Sequence, residues 1–410
     1  MNPITRRDFM KHATVYSALG AVAPHFLTRT VEAATQSIAG FDSNRVLVVV
    51  QLGGGNDGLN TLVPHTDDAY HRARPSLGLK KTDILPITDD LGFNKSLVGL
   101  KNLYDNGDLA IIQGVGYPNP DRSHFRSMEI WHTASDSDQY DSTGWIGRYF
   151  DHECDGAARP QVGVAIGKER PQAFDGTEGF GVSFENPAQY GWNEGSSGDT
   201  TQNFTDINAP ESKPKESNLD FLRHVTSNAI LSSREVNEAA QRAKRDMAPR
   251  RGRPINATLS NIASLIKHDL ATRIYYVSAS GFDTHANQLG AHTNLLSQVS
   301  QGLSEFQAQL KKDGTASQVT TMIFSEFGRR VSENKSGGTD HGTAAPMFLM
   351  GENVTPGLHG RAPSLTDLDQ GDLKFTTDFR NVYATLLKDW LHTDPKKILG
   401  QKFDTLPLIG

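Results

Sequence analysis

Two short segments of the 410-residue chain pair a carboxylate with an imidazole in the way a divalent cation requires. In GFDTHANQLGAH, Asp283 and His285 stand two residues apart, so an extended backbone sends both side chains to the same side. One oxygen and one nitrogen donor suit a divalent ion, zinc first, with manganese or calcium as alternatives. The same residues could instead form an Asp–His hydrogen bond in a turn, or a helix cap at Thr284. His292 follows seven residues later, about two turns along the next helix, and is a weaker addition. In GGTDHGTAAPMFLMG, Asp340 and His341 lie among Gly337, Gly338 and Gly342, which let backbone approach a ligand closely. A third segment, PNPDRSHFRSMEIWHT, turns from a proline-rich loop into a helix. Asp121 or Ser123 can simply be its N-cap. The chemical alternative is a Ser123 hydroxyl at a helix N-terminus, where the dipole and free N–H groups would stabilise an anionic substrate.

These groups need elements that bring them to one place. In NRVLVVVQLGGGNDGLN, the run Val46–Leu52 is apolar except for Gln51, the pattern of a strand buried on both faces of a parallel sheet. It ends in Gly53-Gly54-Gly55, carrying Asn56 and Asp57. RIYYVSASGFDTH is a second apolar strand, ending at Gly281, Asp283 and His285. QVTTMIFSEFGRR is a third, ending at Glu326. DLAIIQGVGY supplies a fourth over Leu109–Gln113, and another begins near Pro346. Helical patterns at 95–104, 123–131, 235–244, 259–270 and 290–311 fall between them. The alternation predicts an α/β fold: a doubly wound, mostly parallel sheet sandwiched by helices. Ligands of such sheets bind just beyond the carboxyl ends of the strands. Those ends hold Asn56, Asp57, Asp283, His285 and Glu326.

The rest of the chain bounds the setting. Arg6-Arg7, in TRRDFMK, precede a short apolar stretch broken by Gly20, Pro24 and His25, and Val31-Glu32-Ala33 offers small residues at a cleavage site. This predicts a twin-arginine signal peptide over residues 1 to about 34. The implied partner is the twin-arginine export machinery, and the implied location is periplasmic or secreted. A membrane span needs about 20 apolar residues, so none is expected after cleavage. The remaining chain, roughly 375 residues, suits one α/β domain over 35–410. A polar insertion rich in Gly, Ser, Thr and Pro interrupts it near 193–218. The basic cluster at 244–253 reads as a solvated loop. With 41 basic against 47 acidic residues and a formal charge of −6, nothing favours nucleic acid. The single cysteine, Cys154, excludes an intramolecular disulfide and reads as a small buried hydrophobe. Four tryptophans without aromatic repeats give little support to a sugar- or polymer-binding module.

The order strand–GGGNDG, helix-initiating serine, strand–GFDTH, strand–SEFGR and DHGTAAPMFLMG resembles the alkaline phosphatase-like superfamily of phosphatases and sulfatases. From Val46 to about Leu391 the chain is similar to an uncharacterised twin-arginine-exported bacterial family assigned to that superfamily. The resemblance implies an alkaline phosphatase-like fold and a metal-dependent hydrolase of a phosphate or sulfate ester, whether small molecule or polymer. It puts Asp57, or Asn56, in the place of a metal-binding acid and Ser123 in the place of the nucleophile. Asp283 and His285 resemble a later metal-binding pair at shorter spacing, and His341 before Pro346 resembles the histidine that completes a site. Where the phosphatases carry an Asp-His pair, this chain has Glu326-Phe327, and a phenyl ring cannot ligate a metal. The expectation is therefore one ion held by Asp283, His285 and His341, with Asp57 and Glu326 completing a second site or orienting the nucleophile. Asp340 and His359 are candidate substitutes for the lost ligand. Arg329 and Arg330 could bind an anionic ester through planar, bidentate donors, or pair with surface acids. Phe327 also favours a second expectation, a non-catalytic exported binding protein that keeps the fold, with or without one metal.

Overall fold

A strand that is apolar on both faces belongs inside a sheet, and β1 (Val46–Gly53) lies at the centre of one. The computed structural model describes residues 44–154, 160–177, 181–185, 254–268 and 271–410, with a few positions between 236 and 242. Its other principal strands are β2 (Leu109–Gly116), β3 (Gly163–Ile166), β4 (Val182–Phe184), β5 (Ile274–Ser280), β6 (Val319–Phe324), β7 (Ala345–Met350), β8 (Gly357–His359) and β9 (Thr377–Asp378). They form a nine-stranded sheet in the order β8-β2-β7-β6-β1-β5-β3-β4, with β9 added beside β2. β1 pairs in parallel with β5 and β6, Val49 lying opposite Tyr276 on one side and Met322 on the other. β7 runs antiparallel to both β6 and β2, and every other pair in this sheet is parallel.

That single reversal matters for function. Because β1, β2, β5 and β6 point one way and β7 points back, the exits of four strands and the entrance of the fifth share one sheet edge. The segments after Gly53, Gly116, Ser280 and Phe324, and the segment before Ala345, therefore meet there.

Helices cover both faces. Val46, Val48 and Val50 of β1 share one hydrophobic cluster with Leu259 and Ile262 of α4 (Pro254–Lys267) and Leu303 and Phe306 of α5 (Gln288–Asp313). These helices pack together, and α5 also packs against α1 (Val98–Asp105). On the other face, Trp131 of α2 (His124–Thr133) stacks on Phe324 at 4.7 Å and on Phe379 of α6 (Phe379–Thr385) at 4.3 Å. Trp145, opening α3 (Trp145–Glu153), stacks on Tyr383 at 4.5 Å. Such stacks bury large apolar area and fix ring orientation, so α2 cannot rotate freely over the sheet. The mostly parallel sheet between helices is as the sequence predicts, and Cys154 is buried.

Boundaries moved for local reasons. α1 begins at Val98 rather than at 95 because the Asn94 carboxamide accepts from the Ser96 N–H at 3.0 Å and holds that stretch in a turn. α5 begins two residues earlier than the 290 start, directly after Asn287, whose left-handed backbone (φ 49°) separates it from the β5 exit. The signal peptide at 1–34, the insertion at 193–218, the basic cluster at 244–253 and most of the 235–244 helix lie outside the described residues. Among the described residues, no helix is long and apolar enough to cross a membrane.

Candidate metal centre

The sheet edge is brought close together by glycine. After β1 the chain turns through Gly54 (φ 115°) and Gly55 (φ 69°). A Cβ on Gly54 would stand 2.5 Å from the Asp283 amide nitrogen, and one on Gly55 would collide with the Phe327 ring. Only residues without a side chain let this turn lie against the exits of β5 and β6.

Around it, three imidazoles converge on one carboxylate oxygen. Asp283 Oδ1 lies 3.0 Å from His285 Nε2, 3.2 Å from His341 Nε2 and 3.4 Å from His124 Nε2. The Nε2 atoms of His285 and His341 are 2.9 Å apart. Each ring's other nitrogen faces an acceptor. Nδ1 of His341 meets the Arg122 carbonyl at 2.7 Å, Nδ1 of His124 meets Glu326 Oε1 at 2.8 Å, and Nδ1 of His285 meets Asp340 Oδ1 at 3.2 Å. An acceptor at Nδ1 draws the ring proton there and leaves the Nε2 lone pair aimed at the cluster. Two lone pairs 2.9 Å apart repel each other unless a proton or a cation lies between them. His124 Nε2 is buried without a hydrogen-bond partner.

This donor set fits a zinc-type ion. Zinc–ligand bonds of about 2.0–2.1 Å imply about 3.3 Å between tetrahedral donors, close to the spacings around Asp283. The donors of His124, His341 and Asp283 all lie within 4.8 Å of one another, with His285 beside them, and imidazole nitrogens with one carboxylate favour zinc over calcium, which takes six or more oxygens. The carboxylate is held ready. Burial would raise the Asp283 pKa, but the Arg329 hydrogen bond and charge, with His341 and His285, lower it to about 2. The Glu326 hydrogen bond raises the pKa of His124, against the opposing effect of burial.

The structure brings Asp283, His285 and His341 together and places other candidates elsewhere. Glu326, expected as a ligand, is buried behind His124. Its Oε1 accepts from the Gly54 N–H at 2.8 Å as well as from the imidazole. Asp57, expected at a second metal, is fully buried in an ion pair with Arg74 (Nη1–Oδ2 2.6 Å). Asn56 bonds to Thr61 and to Nε2 of His292 at 2.8 Å, and burial pushes the His292 pKa down to about 4, so that ring is neutral. Arg329, expected to bind substrate, is 2% exposed. Its guanidinium donates to the carbonyls of Gly54, Gly55, Phe282 and Thr339 and to Asp283, which makes it a brace for the loops. His359 bonds the Thr355 carbonyl from β8. Asp340 stands behind His285 as its Nδ1 partner. Phe327 packs its ring on His124 (4.8 Å) and His341 (5.0 Å), an apolar wall where a ligand would otherwise stand.

Ser123 is the exposed N-cap of α2 and makes no side-chain capping bond. Its neighbours are Arg122, whose carbonyl holds His341, and His124. The sequence reading gave His124 no role, although a signal was present. His124, Ser127 and Trp131 recur at helical spacing on one face, and the last two donate to the Glu326 carbonyl at 2.6 and 2.8 Å. A cleft of about 710 Å³, lined by Tyr117, Asn119, Arg122, Phe327 and Lys374 among others, opens beside this segment. Arg122 and Arg330, both partly exposed, share the buried carboxylate of Asp372. A second cavity of about 490 Å³, lined by residues such as Leu59, Leu62 and Pro346, includes none of the cluster's donors.

No curated protein matches the chain. Among solved structures, it is similar to the C-terminal periplasmic domain of EcEptC from Escherichia coli (9% identity, TM-score 0.40), covering 90% of this chain and 91% of that one. It is also similar to a protein in the alkaline phosphatase superfamily from Vibrio parahaemolyticus (12% identity, TM-score 0.40, 88% and 70% covered). A third is the lipoteichoic acid synthase LtaP from Listeria monocytogenes (10% identity, TM-score 0.37, 91% and 76% covered). Identities and TM-scores this low leave the chemistry to the chain's own side chains. Residues 44–404 match the family described as "Protein of unknown function (DUF1501)".

Proposed function

Because the chain belongs to the DUF1501 family, whose description assigns no activity, its function must be argued from the site, and we propose an exported, single-metal hydrolase of a phosphate or sulfate ester. The observation that carries this reading is the common orientation of three imidazoles, each fixed through Nδ1, toward one ionised carboxylate beside a helix-capping serine. Asp283, His124, His285 and His341 would hold the ion. Bound there, a divalent cation supplies Lewis acidity toward an ester oxygen.

The chain's own groups do the rest. Ser123 Oγ would attack phosphorus or sulfur, its proton passing to the leaving alcohol as that ester bond breaks, and water would then hydrolyse the seryl ester to restore the hydroxyl and release phosphate or sulfate. Free N–H groups in the first turn of α2 would stabilise the charge that develops. Arg122 lines the cleft and offers planar donors to the non-bridging oxygens, with Asp372 holding its guanidinium in place. The Phe327 wall keeps water from one side of the imidazoles.

Ser123→Ala should lower turnover of an aryl phosphate or aryl sulfate by at least about a hundredfold with the metal content unchanged, as expected for loss of a nucleophile. Unchanged turnover would remove Ser123 from the mechanism. Arg122→Met should raise KM by about tenfold or more, since charged hydrogen bonds are worth about 1.5–3 kcal/mol. An unaltered KM would place the anion elsewhere. The export part of the reading rests on Arg6-Arg7. A reporter carrying residues 1–34 should leave the cytoplasm, and the same fusion with both arginines changed to lysine should not.

A second reading is favoured by Phe327 and by the Asp57–Arg74 pair, which leave donors for one ion where a two-ion clamp would need more. On that reading the chain holds a metal and an anionic ligand without turnover. Stoichiometric zinc with no esterase activity on either ester class would establish it over the hydrolase.

A further inference from the structure

Three of the proposed metal donors sit on two loops far apart in sequence, 283–285 after β5 and 339–341 before β7, while the fourth, His124, opens α2. The relative placement of the two loops has to be held to a few tenths of an ångström for one ion to meet both. We propose that Gln288, the first residue of α5, is the positioning residue that sets this spacing and with it the affinity of the site. The inference rests on the metal-centre reading above.

Gln288 is fully buried. Its Oε1 accepts from Thr284 Oγ1 at 3.1 Å and from Thr339 Oγ1 at 2.6 Å. Thr284 stands between Asp283 and His285, and Thr339 directly precedes Asp340 and His341. One side-chain oxygen therefore ties the two ligand-bearing loops together, immediately beside the ligands. The amide cannot turn over. Its Nε2 donates to Asp57 Oδ2, and an ionised carboxylate accepts only a donor, so Oε1 must face the hydroxyls.

The backbone follows the same join. The Thr339 N–H donates to the Thr284 carbonyl at 3.3 Å and the Gln288 N–H to the Gly337 carbonyl at 2.9 Å. Gly338 completes it, since a Cβ there would collide with the His285 backbone. The Asp57–Arg74 pair, which reaches no metal donor directly, thus becomes the anchor of the clamp. Thr284 and Thr339 are themselves buried, so losing the glutamine leaves two hydroxyls unsatisfied, and the loops would shift to find partners.

The test uses the full mature chain stripped of metal. Gln288→Met removes both acceptor and donor. Thr339→Val, nearly isosteric, removes one hydroxyl and serves should the first variant fail to fold. Cobalt(II) titration should show Kd raised about tenfold or more in each variant, the range typical of groups behind metal ligands. The visible bands of tetrahedral cobalt should weaken while far-ultraviolet circular dichroism stays the same. In the metal-free protein, hydrogen exchange at the Thr339 amide should speed up by about tenfold or more.

A folded Thr339→Val with wild-type cobalt affinity, spectrum and amide protection overturns the proposal. Failure of the wild-type chain to take up cobalt would instead sink the metal-centre reading. The exchange rate at Thr339, measured without metal, would still decide the role of Gln288.

Discussion

His341→Ala should release the metal at micromolar concentration and lower ester hydrolysis by at least about a thousandfold, the equivalent of roughly 4 kcal/mol in the barrier. The size follows from where the ring stands. Its Nε2 lies 3.2 Å from Asp283 Oδ1 and 2.9 Å from His285 Nε2, while Nδ1 is fixed by the Arg122 carbonyl. Alanine removes a ligand and also one of the contacts that join the β7 entrance to the start of α2. His124→Ala should behave the same way, which separates a four-donor site from the three-donor set read in the sequence. Glu326→Gln provides the graded comparison. It keeps an oxygen near His124 Nδ1 but loses the charge, so metal affinity should fall about ten- to a hundredfold, as for other groups one step behind a ligand. Metal content per chain, measured beside turnover, reads all three. Stoichiometric zinc and full activity in His341→Ala would end the proposal.

How much of this was legible depended on how far the deciding contact lay along the chain. β1, β5 and β6 are readable because burial leaves mainly apolar runs, interrupted only by Gln51, by the serines at the end of β5 and by Thr320-Thr321. Their common direction then followed from the alternation with helices. Asp283, His285 and His341 stand out in the sequence because each follows or precedes such a run. His124 does not. Which side of a helix's first turn meets the sheet edge depends on the rotation of the helix, and α2 is set by the stacking of Trp131 on Phe324 and Phe379. Asp57 and Glu326 misled for a related reason. A carboxylate at a strand end reads alike whether it meets a metal, a guanidinium or an imidazole. Arg74, which decides the matter for Asp57, caps the C-terminus of the short helix Asp68–Ala73 with no sequence cue to its target. Arg329 reads from sequence as a bidentate donor to an anionic ester or as a partner of surface acids, because a planar guanidinium suits either. In fact backbone carbonyls from the Gly54–Gly55 turn and the two ligand loops take up most of its N–H groups.

Arg74→Met is the substitution with the largest expected effect on stability. The pair it breaks is wholly buried, at 0% side-chain exposure on both sides. The guanidinium also donates to the carbonyls of Val331 and Arg330 and to Asn60. Removing one partner of a buried pair costs about 3–5 kcal/mol, chiefly because the other charge is left without compensation. Burial by itself would raise the Asp57 pKa, yet the Arg74 charge and hydrogen bond, with His292 and Gln288, hold it below its ordinary value. A depressed carboxyl pKa adds stability that is present above the unfolded value, about 3.9, and is lost as pH falls through the folded one. In Arg74→Met burial acts without that charge, so the Asp57 pKa should rise above the unfolded value and the sign reverses. The variant then gains from protonation as pH falls, and the gap between the two proteins should narrow from pH 7 toward pH 4. Urea midpoints across that range read it directly. Asp57→Asn with Arg74→Met should be less damaging than Arg74→Met alone, because no buried charge remains. A gap independent of pH, or a double variant as unstable as the sum of its parts, would mean that the pair is not what holds the floor of the site.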